Sequence, residues 1–162
     1  MSRTIPFSRD WPALGLILAA VAAVLVIGNL VTLPEIPGWY ASLAKPSWTP
    51  PNWLFGPVWT LLYVMMAAAA WLVWRRRRMF DVGPAMLAWS AQLVLNLGWS
   101  LLFFGQHALL LGMIDIVVLW LAIWLTTILF WRIRPLAGAL LLPYLAWVAY
   151  AGSLNAGILA LN

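Results

Sequence analysis

Three features of this 162-residue chain predict an all-α integral membrane protein built as a bundle of five transmembrane helices. The residues are 65% hydrophobic and only 8% charged, against about 25% charged in an average soluble domain. Five apolar stretches are each long enough to cross a bilayer, which takes about 20 residues. Eight of the nine Lys and Arg residues fall on one side of the alternating topology those stretches impose. Length allows one domain, residues 1–162, and little beyond it.

The first span is expected over about 11–33, uncharged, with Pro12 suited to a first helical turn. Its apolar run is too long for a signal-peptide core and no A-x-A cleavage site follows, so it reads as a retained helix. The second span, 57–74, stops at "RRRR", Arg75 to Arg78. The third covers about 84–105 and the fourth about 108–131, ending at Arg132. The fifth covers 135–161 and contains Pro143, which removes a backbone donor and predicts a kink.

Arg3 and Arg9, Arg75 to Arg78, and Arg132 and Arg134 share one face, while Lys45 stands alone on the other. Positive-inside then puts the N-terminus in the cytoplasm. The setting expected is a bacterial inner membrane, with an outer membrane, bacterial or mitochondrial, as the alternative. The net charge of +5 is thereby spent on orientation, and no nucleic-acid partner is expected. With no cysteine in the chain, disulfides and thiolate metal sites are excluded.

The long first loop, Thr32 to Gly56, carries "KPSWTPPNW" and is unusual in so short a protein. A loop of this length is functional or disordered. Prolines at 34, 37, 46, 50 and 51 restrict its backbone, and Trp39, Tyr40, Trp48 and Trp53 favour burial or an interface, so order is expected.

Thirteen tryptophans exceed what interfacial belts require. Trp11, Trp39, Trp74 and Trp131 sit at span ends and fit such belts. Others form stripes with polar residues: Trp59 and Tyr63 on the second span, Gln92, Asn96 and Trp99 on the third, and Tyr144, Trp147, Ala151 and Asn155 on the fifth. Polar side chains within a span face the bundle interior or a cavity. Two readings stay open here: hydrogen-bonding glue between helices, and a mainly aromatic ligand cavity with few polar groups.

Asp115 is the only acid within a span, where it costs about 2.5–3.5 kcal/mol at a helix centre on insertion scales. With no second acid or base in any span, a proton relay has no next step, and a structural tie is expected. His107, the only histidine, reads as a solvated residue of a short loop and has no partner for a metal site. Nucleophilic triads, metal hydrolysis and phosphate loops lack their parts.

From Trp39 to Asn155 the chain resembles the tryptophan-rich sensory protein (TspO/MBR) family, whose animal members are the mitochondrial translocator proteins, or peripheral benzodiazepine receptors. The resemblance rests on "WYASLAKPSWTPPNWLFGPVWTLLY", "AQLVLNLGWSLLFFG", Asp115 and "PLAGALLLPYLAWVAYAGSLN". It implies a five-helix bundle with the first loop as a lid over a pocket. Prolines pre-set such a lid and lower its ordering entropy. The implied ligands are protoporphyrin or haem, with no cofactor required; animal members also bind sterol and isoquinoline carboxamides. The implied pocket residues are Trp48, Pro50, Phe55, Trp59, Tyr63, Asn96, Trp99, Tyr144, Trp147, Ala151 and Leu154. The animal sterol motif needs an aromatic and a basic residue after "LN", and "SLNAGILALN" has neither.

The resemblance thus favours a membrane receptor or sensor for tetrapyrroles or related flat hydrophobes. The alternatives are a porphyrin-degrading enzyme using Trp59 and Trp147, and a transporter of porphyrin or sterol. Membrane lipid is a necessary partner. A homodimer is expected from small residues Ala85, Ala88 and Ala91 on the third span. Metal sites are not expected.

The topology is testable. A phosphatase fused after Asn162 should be active outside the cytoplasm, and a fluorescent protein fused there should be dark. The reverse pattern overturns the assignment.

Overall fold

The computed structural model describes residues 10–162, and Arg3 and Arg9 of the topology reading lie outside the described residues. The chain folds as α1 (Trp11–Thr32), a short 3-10 turn (Leu33–Glu35), α2 (Trp39–Ser42), a second 3-10 turn (Asn52–Leu54), α3 (Phe55–Trp74) and α4 (Gly83–Ser100). A π-helical segment (Leu101–Gly105) extends α4, followed by α5 (Leu109–Ile133), α6 (Pro135–Ala139) and α7 (Leu142–Leu161). Among the described residues five helical spans are long and apolar enough to cross a membrane. The protein is an all-helical integral membrane protein.

Proline marks the helix starts, where its missing N–H costs nothing. It stands in the first two positions of α1, α4, α6 and α7. Arg134, which precedes Pro135, is extended (φ −154°, ψ 110°), as the proline ring demands of its neighbour. The expected kink of the last span is a break. α6 ends at Ala139 and α7 begins at Leu142, so Pro143 falls in a first turn rather than inside a helix.

The spans pack in a closed ring. α1 touches α3 and α4, α4 packs along α5, α5 along α7 and α6, and α6 returns to α3. At one end Asp10 is buried and pairs with Arg77, whose guanidinium lies 4.9 Å from the Trp74 ring. Large side chains such as Leu16, Leu87 and Val94 point outward, as a lipid-facing surface requires. Of the small residues on α4, Ala85 is buried within the chain, so Leu87, Ala91 and Val94 are what that helix shows outward.

The long loop is ordered and docks on α7. The Asn162 amide both donates to the Ala44 carbonyl (3.0 Å) and accepts from the Ala44 N–H (3.1 Å). The Tyr150 hydroxyl donates to the Trp48 carbonyl (2.7 Å). Gly157 lets Pro46 seat against the helix, since a Cβ there would lie 2.8 Å from the proline ring.

A second close approach joins α5 to α6. A Cβ on Gly138 would lie 2.7 Å from the Trp131 ring and 2.9 Å from its Cα. Gly138→Ala should therefore destabilise the protein by about 1–3 kcal/mol, the usual cost of overpacking. Gly15→Ala, in open space, should be neutral or stabilising by up to about 1 kcal/mol. Thermal midpoints of the two variants in one detergent check the contrast.

Candidate functional site

A cavity of about 300 Å³ lies inside the bundle beneath the long loop. Its floor is a chain of hydrogen bonds. The Tyr63 hydroxyl donates to Asn96 Oδ1 (2.5 Å), and Asn96 Nδ2 donates to the Tyr144 oxygen (3.0 Å). Tyr144 in turn donates to Gln92 Oε1 (2.9 Å), and Gln92 Nε2 reaches Met66 Sδ at 3.8 Å. The spacing that put Gln92 and Asn96 one turn apart on α4 lets both meet the single phenol of Tyr144. A second polar link closes the far wall: Trp99 Nε1 donates to Asn155 Oδ1 (3.2 Å), whose amide donates to the Leu109 carbonyl (3.1 Å).

Above this floor the walls are aromatic. Trp59 lies 5.7 Å from Tyr63 and 6.2 Å from Tyr144, centroid to centroid. Trp99 stacks on Phe103 at 5.1 Å. The π-helical widening carries Phe103 and Phe104, consecutive in sequence, into one buried cluster with Tyr40 of the loop. A regular helix would turn such neighbours about 100° apart. Among the described residues the lining holds no carboxylate, amine, imidazole or thiol. It offers ring faces and neutral hydrogen-bonding groups, a set suited to holding a flat apolar molecule rather than to general acid–base chemistry.

Of the residues singled out from sequence, Phe55, Trp59, Tyr63, Asn96, Trp99, Ala151 and Leu154 line the cavity together. Tyr144 lies directly behind it, fully buried in the hydrogen-bond chain. Trp48, Pro50 and Trp147 are not among the lining residues. Trp48 is half exposed, and its carbonyl is held by Tyr150. Trp147 lies in a groove between α3 and α7 with Leu61, Leu62 and Pro143, its indole N–H buried, and makes an edge contact with Phe55 of the cavity wall (5.9 Å). Lys45 is not at the cavity: its ammonium donates to the Ala41 and Leu43 carbonyls. Asp115 faces Gly98 on α4, with its Oδ1 3.1 Å from where a Cβ would be.

Sequence reasoning missed the wall supplied by α1, where Leu25, Gly28, Asn29 and Thr32 line the cavity. It had a signal. Asn29 is a polar residue within a span, and Leu25, Asn29 and Thr32 recur at i, i+4, i+7, the spacing of one helix face. The rule applied to Asn96 applied equally to Asn29.

The hydrogen-bond chain yields a stability test. Tyr144→Phe leaves Asn96 Nδ2 and Gln92 Oε1 without their partner and should cost about 1–3 kcal/mol. Met66→Leu, which removes only the long contact to sulfur, should cost less than about 1.5 kcal/mol as a volume-conserving swap. Unfolding in mixed detergent, followed by circular dichroism, compares them.

Comparison with known proteins agrees with this architecture. The family model described as TspO/MBR family matches residues 16–161. The "Tryptophan-rich protein TspO" of Chlorobaculum tepidum is 43% identical over 153 residues, covering 92% of this chain and 95% of that protein. "Protein CrtK" of Rhodobacter capsulatus is 43% identical over 125 residues, 76% of this chain and 78% of that one. The human "Translocator protein" is 40% identical over 147 residues, 89% and 86% respectively. With five membrane-spanning helices, an ordered tryptophan-rich loop and a family match across nearly its whole length, this chain belongs to the TspO/MBR family of integral membrane proteins.

Proposed function

We propose that the chain is a membrane receptor or sensor that binds tetrapyrroles, or related flat hydrophobic molecules, in the cavity between its helices. The observation that supports this most is the lining: Trp59, Tyr63, Phe55, Trp99 and Phe103 present ring faces around a space with no charged side chain. Each aromatic pair contributes about 0.5–1.5 kcal/mol beyond its buried area. At about 300 Å³ the cavity is at the lower end of the range for ligand pockets. A macrocycle therefore requires the loop to lift, most simply at Trp53, which lines the cavity while remaining largely exposed. Sterols and isoquinoline carboxamides fit the same apolar description.

A second reading is an enzyme that degrades porphyrin oxidatively. It is favoured by the contact of Trp59 with both Tyr63 and Tyr144, which gives an oxidised indole two neighbouring phenols. A transporter role would need a second opening at the arginine end of the bundle, besides the one beneath the loop. The proposed setting is a bacterial inner membrane with the N-terminus cytoplasmic. Arg75 to Arg78, Arg132 and Arg134 lie at the end opposite the loop, where positive-inside places them in the cytoplasm. A homodimer would use the outward face of α4.

Haem iron is ligated by His, Cys, Met or Tyr; among the described residues the lining holds no His, Cys or Met, and of its two tyrosines Tyr63 is already paired with Asn96 while Tyr40 is packed among Phe103, Phe104 and Lys45. Metal-free protoporphyrin should then bind about as tightly as haem. Trp59→Ala should weaken both about tenfold, from lost stacking and the space left behind. Trp147→Ala should weaken them less, acting through Phe55. Tryptophan quenching titrations with each pigment measure these affinities, and spectra under illumination separate stable binding from degradation. Haem binding without protoporphyrin binding, or an unchanged affinity in Trp59→Ala, would sink the proposal.

A further inference from the structure

His107 is not simply solvated. Its backbone is left-handed (φ 55°), the only such non-glycine among the described residues. That conformation is uncommon outside glycine, and it is held here by the contacts the ring makes. The imidazole stacks on Trp39 with centroids 4.1 Å apart and planes 12° from parallel. Its Nε2 lies 2.9 Å from Glu35 Oε2. Trp39 in turn packs edge-on against Phe103 (5.5 Å) and Phe104 (6.3 Å), which line the cavity. The three residues come from three separate pieces of chain: Glu35 from the turn after α1, Trp39 from α2, and His107 from the connection between α4 and α5. Between them they tie the first half of the loop to the α4–α5 corner, over the same end of the cavity that Leu33, Ile36 and Tyr40 close.

The charges around this contact are few. The turn after α1 presents Glu35. On α2 the neighbour is Tyr40, whose phenol is pushed up by burial and by Tyr150, so it stays neutral near pH 7. Lys45 lies over the Tyr40 ring at 4.8 Å and is bound to carbonyls of the loop itself. On α5 the one acid, Asp115, lies two turns away against Gly98. α7 offers the amide of Asn155 and the Tyr150 hydroxyl, which donates to the Trp48 carbonyl. Among the described residues, His107 is the one imidazole at this contact, the side-chain type suited to a charge switch in the physiological range.

We infer that Glu35, Trp39 and His107 form a pH-sensitive clasp across the mouth of the cavity, tighter when the imidazole is protonated. A charged ring turns the Glu35 contact into an ion pair and the Trp39 stack into a cation–π contact. A neutral ring keeps the geometry and loses both charge terms. As pH rises through the imidazole's titration the clasp weakens, and the segment 33–42 opens more often. The second half of the loop, Ala44 to Trp48, is held to α7 by hydrogen bonds of Asn162 and Tyr150 to backbone carbonyls and by close packing on Gly157, and stays closed. The clasp acts whatever molecule the cavity takes, so its test needs no ligand.

The measurement is amide hydrogen exchange of the ligand-free, full-length protein in nanodiscs at pH 5.5 and pH 8, corrected for intrinsic exchange. Protection of residues 33–42 should fall about fivefold from the lower to the higher pH, the combined scale of one exposed ion pair and one exposed cation–π contact. Residues 44–48 should show no such fall. His107→Asn, which tolerates the left-handed backbone, should flatten the dependence, and Glu35→Gln, which keeps the Trp39 stack, should reduce it, both leaving α5 as protected as before. Equal protection of 33–42 at both pH values in the native chain overturns the clasp. So does an undiminished fivefold fall in His107→Asn.

Discussion

The run of hydrogen bonds from Tyr63 through Asn96 and Tyr144 to Gln92 is the constraint on which the bundle depends. In hydrocarbon there is no water to take an unpaired amide or phenol, so each of these groups must find a protein partner. The partners lie on three different spans. Meeting them sets the rotation of α3, α4 and α7 about their axes and the depth at which they cross. The cavity follows from that rotation. Once the polar edges are paired, Trp59, Trp99 and Phe103 stand above them as rigid rings too bulky to collapse into the space they enclose.

The loop is held by a different kind of contact at each end. Toward α7 the attachment is made by main-chain carbonyls and by close packing of Pro46 on Gly157, which do not respond to pH. Toward α1 and the α4–α5 corner it is made by side chains of Glu35, Trp39 and His107. Prolines shorten the list of conformations the loop can visit, and the two attachments choose among those that remain. Of the two attachments, the one made by exposed, screened side-chain contacts is the weaker.

Two residues show how far helical spacing carries a reading and where it stops. Asn96 and Trp147 were both placed on inward stripes by the same rule. Asn96 does line the cavity; Trp147 shares α7 with Ala151 and Leu154, yet lies in the groove against α3. Spacing tells which residues share a face but not how far along it the cavity reaches: Trp147 stands one turn before Ala151, where α7 packs against Leu61 and Leu62 of α3. Asn29 shows the converse. Its signal was present, but a nearly uniform apolar helix gave no contrast to draw attention to it.

The number of spans, their ends at arginine runs and the proline-marked helix starts were determined by the sequence alone. Each follows from local chemistry: the length of an apolar run, a missing N–H, a charge that will not enter hydrocarbon. Tertiary structure alone decided that the last span breaks between Ala139 and Leu142, that Trp48 and Pro50 stay outside the cavity, and that Lys45 turns back onto its own loop. It also decided that His107 stacks on a tryptophan 68 positions earlier in the chain. Those outcomes depend on which helices become neighbours and on how a long loop docks across them, and no pattern confined to one segment encodes a contact with another.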